Sequence, residues 1–233
     1  MARRAKAKVS NSRTNLSRQA ILRAALALID AKGLAAFNMR ELGLALKASP
    51  MGAYRHFRNK SELIDAVVDG IVARFAPAKV RGGWQREARD MCIRVRASML
   101  THPELAFLIG HEFRRSPVSL RVNTGIIERL RTAGVPARLL AETYWALSSY
   151  TTGYTLLEAQ TYRHRGRKTR SQAERARKLT AILSAVEGVS QSTREEAAGV
   201  LARRLDDRQF LFGLDCLIRG LEDRIGKRRQ TDA

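Results

Sequence analysis

The chain has 233 residues, enough for one large or two small domains with a buried core. It carries 43 Lys and Arg against 22 Asp and Glu, and the net charge of +21 favours an anionic partner. The sequence contains no apolar run of 18 residues, and no apolar segment follows the basic start Ala2–Lys8. We therefore expect neither a membrane span nor a signal peptide, and we predict a cytoplasmic protein.

Residues 1–16 are basic and almost lack apolar side chains, which predicts a disordered, solvated arm. On DNA, an arm of this kind can lie along phosphates or enter a narrow minor groove. The residues that would make these contacts are Arg3, Arg4, Lys6, Lys8 and Arg13.

Helical patterns begin at Ser17, a cap residue followed by apolar side chains at helical spacing as far as Gly33. Two further pairs have the spacing of capping boxes: Asn38 with Glu41, and Asn59 with Glu62. Between them, Ser49 can cap a short helix that has Pro50 at its first position. The sequence thus predicts three helix starts within 25 residues.

The two short helices, Met39–Leu46 and Pro50–Phe57, are joined by a tight turn and predict a helix-turn-helix, whose second helix enters the DNA major groove. Ala53 and Phe57 can face the core. The remaining small, aromatic and cationic side chains of the second helix are not needed for folding. They are therefore candidates for contacting DNA.

The segment Tyr54–Leu63 closely resembles the "Y-x-H-F-x-x-K-x-x-L" signature of TetR-family transcriptional repressors. The resemblance implies a recognition helix at Pro50–Phe57 and phosphate contacts from Tyr54, His56 and Lys60. It also implies a homodimer that binds a palindromic operator and is released by a small-molecule effector. The predicted DNA-binding residues are Arg40, Ser49, Pro50, Met51, Gly52, Tyr54, Arg55, His56 and Lys60.

The predicted fold class is all-α, with a helix-turn-helix domain over 17–76 and a helical effector-binding and dimerisation domain over 84–226. A Gly-containing linker separates the two domains, and a basic tail follows over 227–233. In the second domain, helices are predicted at about 84–100, 104–113, 119–133, 137–162, 172–186, 193–205 and 207–225.

The last helix is sharply amphipathic, and residues 207–222 resemble the closing helix of the tetracycline-repressor-like C-terminal domain. The start at Trp84 and the corner His102-Pro103 resemble that domain too. In the family, the long eighth helix and the last helix pair with their copies in the partner subunit, although these apolar faces would also suit an intramolecular core. The predicted dimer interface comprises Tyr150, Gly153, Tyr154, Phe210, Leu214, Leu217, Ile218 and Leu221.

An effector pocket is expected among the helices between Trp84 and Gln160. Its predicted lining is Met99, His102, Phe107, Tyr144 and Trp145, residues that plain core packing would equally explain. The basic stretch 163–170 is interpreted as a solvated loop, with a second DNA contact as the alternative.

Catalytic, cofactor and metal motifs are not found: the four histidines are scattered, and no phosphate loop or nucleophile elbow occurs. Cys92 and Cys216 lie in apolar helical patterns and are predicted to be buried, reduced thiols. We therefore predict a regulator and not an enzyme. Two alternatives remain: a sequence-indifferent architectural DNA-binding protein, and a regulator controlled by a protein partner.

Overall fold

The computed structural model of the protein describes residues 16–76, 82–112, 116–162 and 171–229. These residues form eleven α-helices and no strand, which confirms the predicted all-α fold. Residues 1–15 of the basic arm, including Arg3, Arg4, Lys6, Lys8 and Arg13, lie outside the described residues. So do the stretch 163–170 and residues 230–233 of the tail.

The first four helices contain the predicted DNA-binding segment: α1 Arg18–Lys32, α2 Met39–Ala45, α3 Pro50–Tyr54 and α4 Lys60–Val72. The chain divides into two compact units between Val67 and Val68, within α4. Helix α3 is shorter than predicted, because the backbone N–H groups of His56 and Phe57 both donate to the carbonyl of Ala53 in a closing turn.

The second unit contains α5 Trp84–Thr101, α6 Ala106–Glu112, α7 Pro117–Thr132, α8 Leu140–Tyr162, α9 Gln172–Leu183, α10 Gln191–Leu201 and α11 Asp207–Arg229. Helix α8 packs against α5, α6, α7 and α11, whereas α9 and α10 pack mainly against each other. Single 3₁₀ turns follow α4 and precede α8. None of the helices in the described ranges is both long and apolar enough to cross a membrane.

The core of the first unit surrounds α3 with side chains from every one of its helices. Burying these groups at about 25 cal/mol per Å² of apolar surface is the main force that holds so short a helix in place. The side chains that are at most 2% exposed are Ile21, Ala25, Ile29, Phe37, Leu42, Ala53, Phe57 and Leu63.

The helix starts of this unit are capped as predicted, but the two capping boxes are only half formed. The Asn38 side chain accepts from the Glu41 N–H at 3.0 Å, and the Asn59 side chain accepts from the Glu62 N–H at 2.8 Å. The Glu41 carboxylate instead pairs with Lys32 at 2.9 Å, since a charged donor is a stronger partner than a backbone amide. The Glu62 carboxylate accepts from the N–H of Arg58 at 2.6 Å, one residue before the cap.

The turn between α2 and α3 depends on Gly43, which the sequence analysis did not single out. Its carbonyl accepts from the N–H of Ala48 at 3.0 Å. A Cβ atom at this position would lie 2.9 Å from the Ala48 carbonyl oxygen and 3.1 Å from the ring of Pro50. Lys47, in the same turn, has the left-handed φ of 49°. The two helices can therefore approach this closely only without a side chain at position 43.

Gly43→Ala should lower the free energy of unfolding by about 1–3 kcal/mol, because the new methyl group must displace backbone atoms and not a flexible side-chain end. Guanidinium unfolding followed by circular dichroism measures this change. The matched control is Gly70→Ala in α4, where nothing lies within 4 Å of an added Cβ. That control should stabilise the protein by about 0.5–1 kcal/mol through helix propensity. Equal effects of the two variants would contradict the close approach at Gly43.

A buried ion pair joins three helices of the second unit. Arg96 of α5 donates from Nε and Nη2 to the Glu158 carboxylate of α8 at 2.7 and 2.6 Å, and from Nη2 to Asp207 of α11 at 2.7 Å. Its guanidinium also stacks 4.8 Å above the ring of Phe210. Burial alone would lower the pKa of Arg96, but the hydrogen bonds to Glu158 and Asp207 outweigh it and raise that pKa.

Arg96→Met should cost about 3–5 kcal/mol in unfolding free energy, because Glu158 is fully buried and would lose its cationic partner. The double variant Arg96→Met/Glu158→Met should recover a large part of that loss, since an apolar pair leaves no buried charge. Denaturant titration of the two single variants and of the double variant measures the coupling free energy between Arg96 and Glu158. Simple additivity of Arg96→Met and Glu158→Met would show that the two side chains do not act as a pair.

The two cysteines differ, and the prediction that both are buried is wrong for Cys216. Cys92 is buried beneath α8, and burial raises the pKa of its thiol to about 11. Cys216 lies on the exposed side of α11. The amphipathic pattern of α11 is not interrupted at Cys216, because a thiol is small enough to occur on either face of a helix.

Candidate nucleic-acid interface

Helix α3 buries one side and presents the other to solvent. Ala53 and, just after the helix, Phe57 point into the core, and Arg18 of α1 covers the Phe57 ring at 4.9 Å. Met51 is 67% exposed and Tyr54 is 41% exposed, and Arg55 and His56 are also exposed. An exposed methionine and tyrosine beside two basic side chains, on a helix of this size, form a surface suited to a base edge and its flanking phosphates.

The other predicted contact residues border this surface. Arg40 of α2 is exposed, Ser49 caps α3 by accepting from the N–H of Met51 at 3.3 Å, and Pro50 is half-buried at its first turn. Gly52 is also half-buried, and a Cβ atom there would meet only the flexible end of Leu16, at 3.3 Å. The backbone at Gly52 is thus open to close approach.

Lys60, predicted to contact phosphate, has a structural role in the unit as well. Its ammonium group donates to the carbonyl of Phe37 and lies 5.5 Å from the centre of the Phe37 ring. An ammonium group has three donors, so this contact does not exhaust its capacity to bind an oxyanion. The contact fixes the group at the first residue of α4, where the helix dipole also favours an anion.

Two basic side chains of this surface were missed in the sequence analysis. Lys47 in the left-handed turn and Arg58 between α3 and α4 are both exposed. They lie in the two turns that flank α3, where no helical pattern marks a contact residue. Leu44 of α2 was not predicted to belong to this surface, and its apolar side chain is 71% exposed.

Family comparisons agree with this arrangement. Residues 21–67 match the model of bacterial regulatory proteins of the tetR family, and residues 76–225 match that of the tetracyclin repressor-like C-terminal domain. The chain belongs to the TetR family. It is therefore a DNA-binding transcriptional regulator, and the resemblance noted in the sequence is confirmed over nearly its whole length.

Similarity to individual relatives extends over nearly the whole of this chain. The tetracycline repressor protein class E of Escherichia coli is 26% identical over 226 residues, covering 93% of this chain and 95% of the relative. The repressor DrrR1 of Streptomyces coeruleorubidus is 25% identical over 224 residues, covering 91% and 80%. The structure of ActR from Streptomyces coelicolor in complex with actinorhodin has a TM-score of 0.73 at 28% identity, covering 92% and 99%. These relatives are transcriptional regulators and not enzymes.

The C-terminal unit of this TetR-family chain contains a cavity of about 30 Å³ between α5, α7 and α8. Of the five predicted pocket residues, only Tyr144 lines it, next to Cys92 and Thr151. Met99 and His102 are buried elsewhere, whereas Phe107 and Trp145 are 64% and 45% exposed. Besides Tyr144, the wall of this cavity consists of Met91, Cys92 and aliphatic and small polar residues of the three helices.

The predicted dimer interface is divided between core and surface. Phe210, Leu214 and Ile218 are buried within the monomer, and the hydroxyls of Tyr150 and Tyr154 donate to carbonyls of Phe210 and Asp206. Leu217 and Leu221 are half-buried, and Gly153 is exposed. This corrects the prediction for the three buried residues: the apolar face of α11 packs on its own chain. The side left uncovered runs along Phe212, Cys216 and Gly220.

The described residues contain no cluster of His, Cys, Asp and Glu that could hold a metal ion.

Proposed function

We propose that this regulator binds a palindromic operator as a homodimer and leaves it when a small molecule binds the C-terminal unit. The DNA-binding part of the proposal rests on the two sides of α3 and of the turn that follows it. Ala53 and Phe57 are buried in the core, whereas Met51, Tyr54 and Arg55 are exposed. Two copies of α3 would address two half-sites whose spacing the dimer sets.

Affinity in this proposal comes mainly from phosphate neutralisation, since residues 1–75 carry fourteen basic and five acidic side chains. Tyr54, His56 and Lys60 are assigned to phosphates, with Lys47 and Arg58 added from the structure. Met51 and Arg55 are assigned to base edges because they are exposed on α3 and just after it, and Gly52 because its backbone is open to close approach.

Fluorescence anisotropy with DNA from the region upstream of the gene, against scrambled DNA at several salt concentrations, tests this division. Tyr54→Ala should weaken binding to both DNAs about tenfold, because a phosphate contact has no sequence preference. Gly52→Ala should mainly change the ratio of the two affinities. The added methyl meets only the end of Leu16, so the unit keeps its fold.

The control Ile182→Ala removes a side chain that is 56% exposed on α9 and should leave both affinities unchanged. Equal loss on native and scrambled DNA for Tyr54→Ala and Gly52→Ala alike would refute the assignment of base-reading residues. Equal binding of the unaltered protein to both DNAs, lost with salt, would favour the second candidate function, a sequence-indifferent architectural protein.

For the dimer, we assign the uncovered stripes of α8 and α11. On α8, Trp145, Ser149, Gly153 and Leu157 recur every four residues and are all exposed. Trp145 is 45% and Leu157 is 58% exposed, and Cys216 and Gly220 of α11 are also exposed. Long helices that keep apolar side chains and glycine on their outer face are typical of helix-bundle interfaces.

Leu157→Glu should raise the dissociation constant of the dimer at least about tenfold, because it would bury a carboxylate without a partner. Sedimentation velocity over a range of protein concentrations measures this constant. Leu120→Glu is the matched control, since Leu120 is 53% exposed on α7, away from both stripes. A dimer weakened equally by both changes, or by neither, would rule out the α8 stripe as the interface.

The effector proposal uses the cavity between α5, α7 and α8. Small-molecule sites usually enclose about 300–1,000 Å³, so a cavity of about 30 Å³ must open before a ligand enters. A ligand that requires the opened state would shift the protein toward that state, and release of DNA follows if the opened state binds the operator less well. The ActR complex with actinorhodin supports a ligand in a domain of this fold.

A further inference from the structure

We propose that a cleft between α9, the end of α10 and the start of α11 is a second ligand site, for small organic molecules that carry several negative charges. The cleft has a volume of about 690 Å³, within the usual range of small-molecule sites. It is separate from the cavity beside Cys92 that is proposed above for the effector.

The wall of the cleft is strongly cationic. Arg175 comes from α9, Arg203 and Arg204 follow α10, and Arg208 lies in the first turn of α11. Four guanidinium groups thus line the cleft, and Asp206, whose carboxylate already accepts a hydrogen bond from the N–H of Gln209 at 2.9 Å, is the one acidic side chain among the described lining residues.

Three of these arginines are available to a ligand. Arg203, Arg204 and Arg208 are exposed, and none of them forms an ion pair with any residue in the described ranges. Neighbouring like charges repel one another, and an anion placed between them relieves that repulsion. The planar guanidinium fork binds carboxylate or phosphate oxygens through two parallel hydrogen bonds.

The backbone that carries these arginines is held in place before any ligand binds. Arg175 donates from Nε to the carbonyl of the fully buried Ala202 at 2.9 Å. The Tyr154 hydroxyl donates to the carbonyl of Asp206 at 2.9 Å and accepts from its N–H at 3.1 Å. Asp207 is fixed by Arg96. A site whose frame is already ordered loses less entropy on binding.

Two uncharged groups define the rest of the ligand. Phe212 lines the cleft with a ring that is 73% exposed, a surface on which an apolar or planar body can pack. Gln209 also lines it, and its buried side-chain oxygen has no hydrogen-bond partner within the part of the chain that the structure describes. The cleft therefore fits a molecule with several carboxylate or phosphate oxygens, a ring and a hydrogen-bond donor.

Isothermal titration calorimetry at constant ionic strength tests the site, with citrate, pyrophosphate and ATP as probes and acetate as the monovalent control. We expect at least one of the three polyanions to bind saturably, once per chain, and acetate not to. Tighter binding of citrate would identify carboxylates as the anionic groups of the ligand. Tighter binding of pyrophosphate or ATP would identify phosphates. ATP additionally probes the ring surface, so Phe212→Ala should weaken ATP and leave pyrophosphate unchanged.

The variant Arg204→Gln/Arg208→Gln should weaken the bound probe at least about tenfold, since each lost guanidinium removes a charge-assisted hydrogen bond. Arg86→Gln/Arg121→Gln is the matched control, because it removes the same charge from exposed positions outside the cleft. Circular dichroism checks that both variants are folded. Equal weakening by the two variants would show that the probe responds only to the net charge of +21, and it would overturn the proposal. The absence of saturable binding by every probe would overturn it too.

Discussion

The ion pair of buried Arg96 with buried Glu158, to which the exposed Asp207 adds a second carboxylate, is the interaction on which the C-terminal unit depends. It ties α5 to α8 and α11 in one place, and the rings of Phe210 and Tyr154 cover the guanidinium. A charge pair of this kind is stable only while all its partners stay in register, because any displacement leaves a buried ion without a counter-ion. The buried pair therefore couples α5 firmly to α8, and the contacts of Arg96 with Phe210 and Asp207 add α11 to them.

The same frame separates the functions assigned to this unit. The small cavity lies one turn from Arg96, beside Cys92 and Val95, whereas the cationic cleft lies at the start of α11 beyond Asp207. The uncovered stripe of α8 lies on another side of that helix, whereas the uncovered stripe of α11 meets the cleft at Phe212. A ligand at either place would thus act on helices that are already coupled, which is the physical requirement for linkage between distant sites.

The sequence predicted the helices and the first unit's core well, because Ser17, Ser49 and Phe57 follow local rules of capping and periodicity. It failed where a residue's role depends on distant neighbours. Gly43 is required by Ala48 and Pro50, and Phe210 is buried by Tyr150 and Tyr154 of another helix. An amphipathic pattern shows that one face of a helix is buried. It does not show whether that face packs against the same chain or against a partner subunit. The arginine cleft was missed because its members come from α9, from the connection after α10 and from α11, which are distant in the sequence.

Gly213 of α11 lies directly against the Tyr150 ring of α8. A Cβ atom at position 213 would lie 2.2 Å from the Tyr150 hydroxyl oxygen, so this glycine sets the distance between α8 and α11. The hydroxyl then bonds the Phe210 carbonyl at 2.8 Å and fixes the helices in register. The surfaces assigned to the partner subunit are consequently formed within each monomer. In the proposed dimer, these outer faces would therefore meet with little ordering cost.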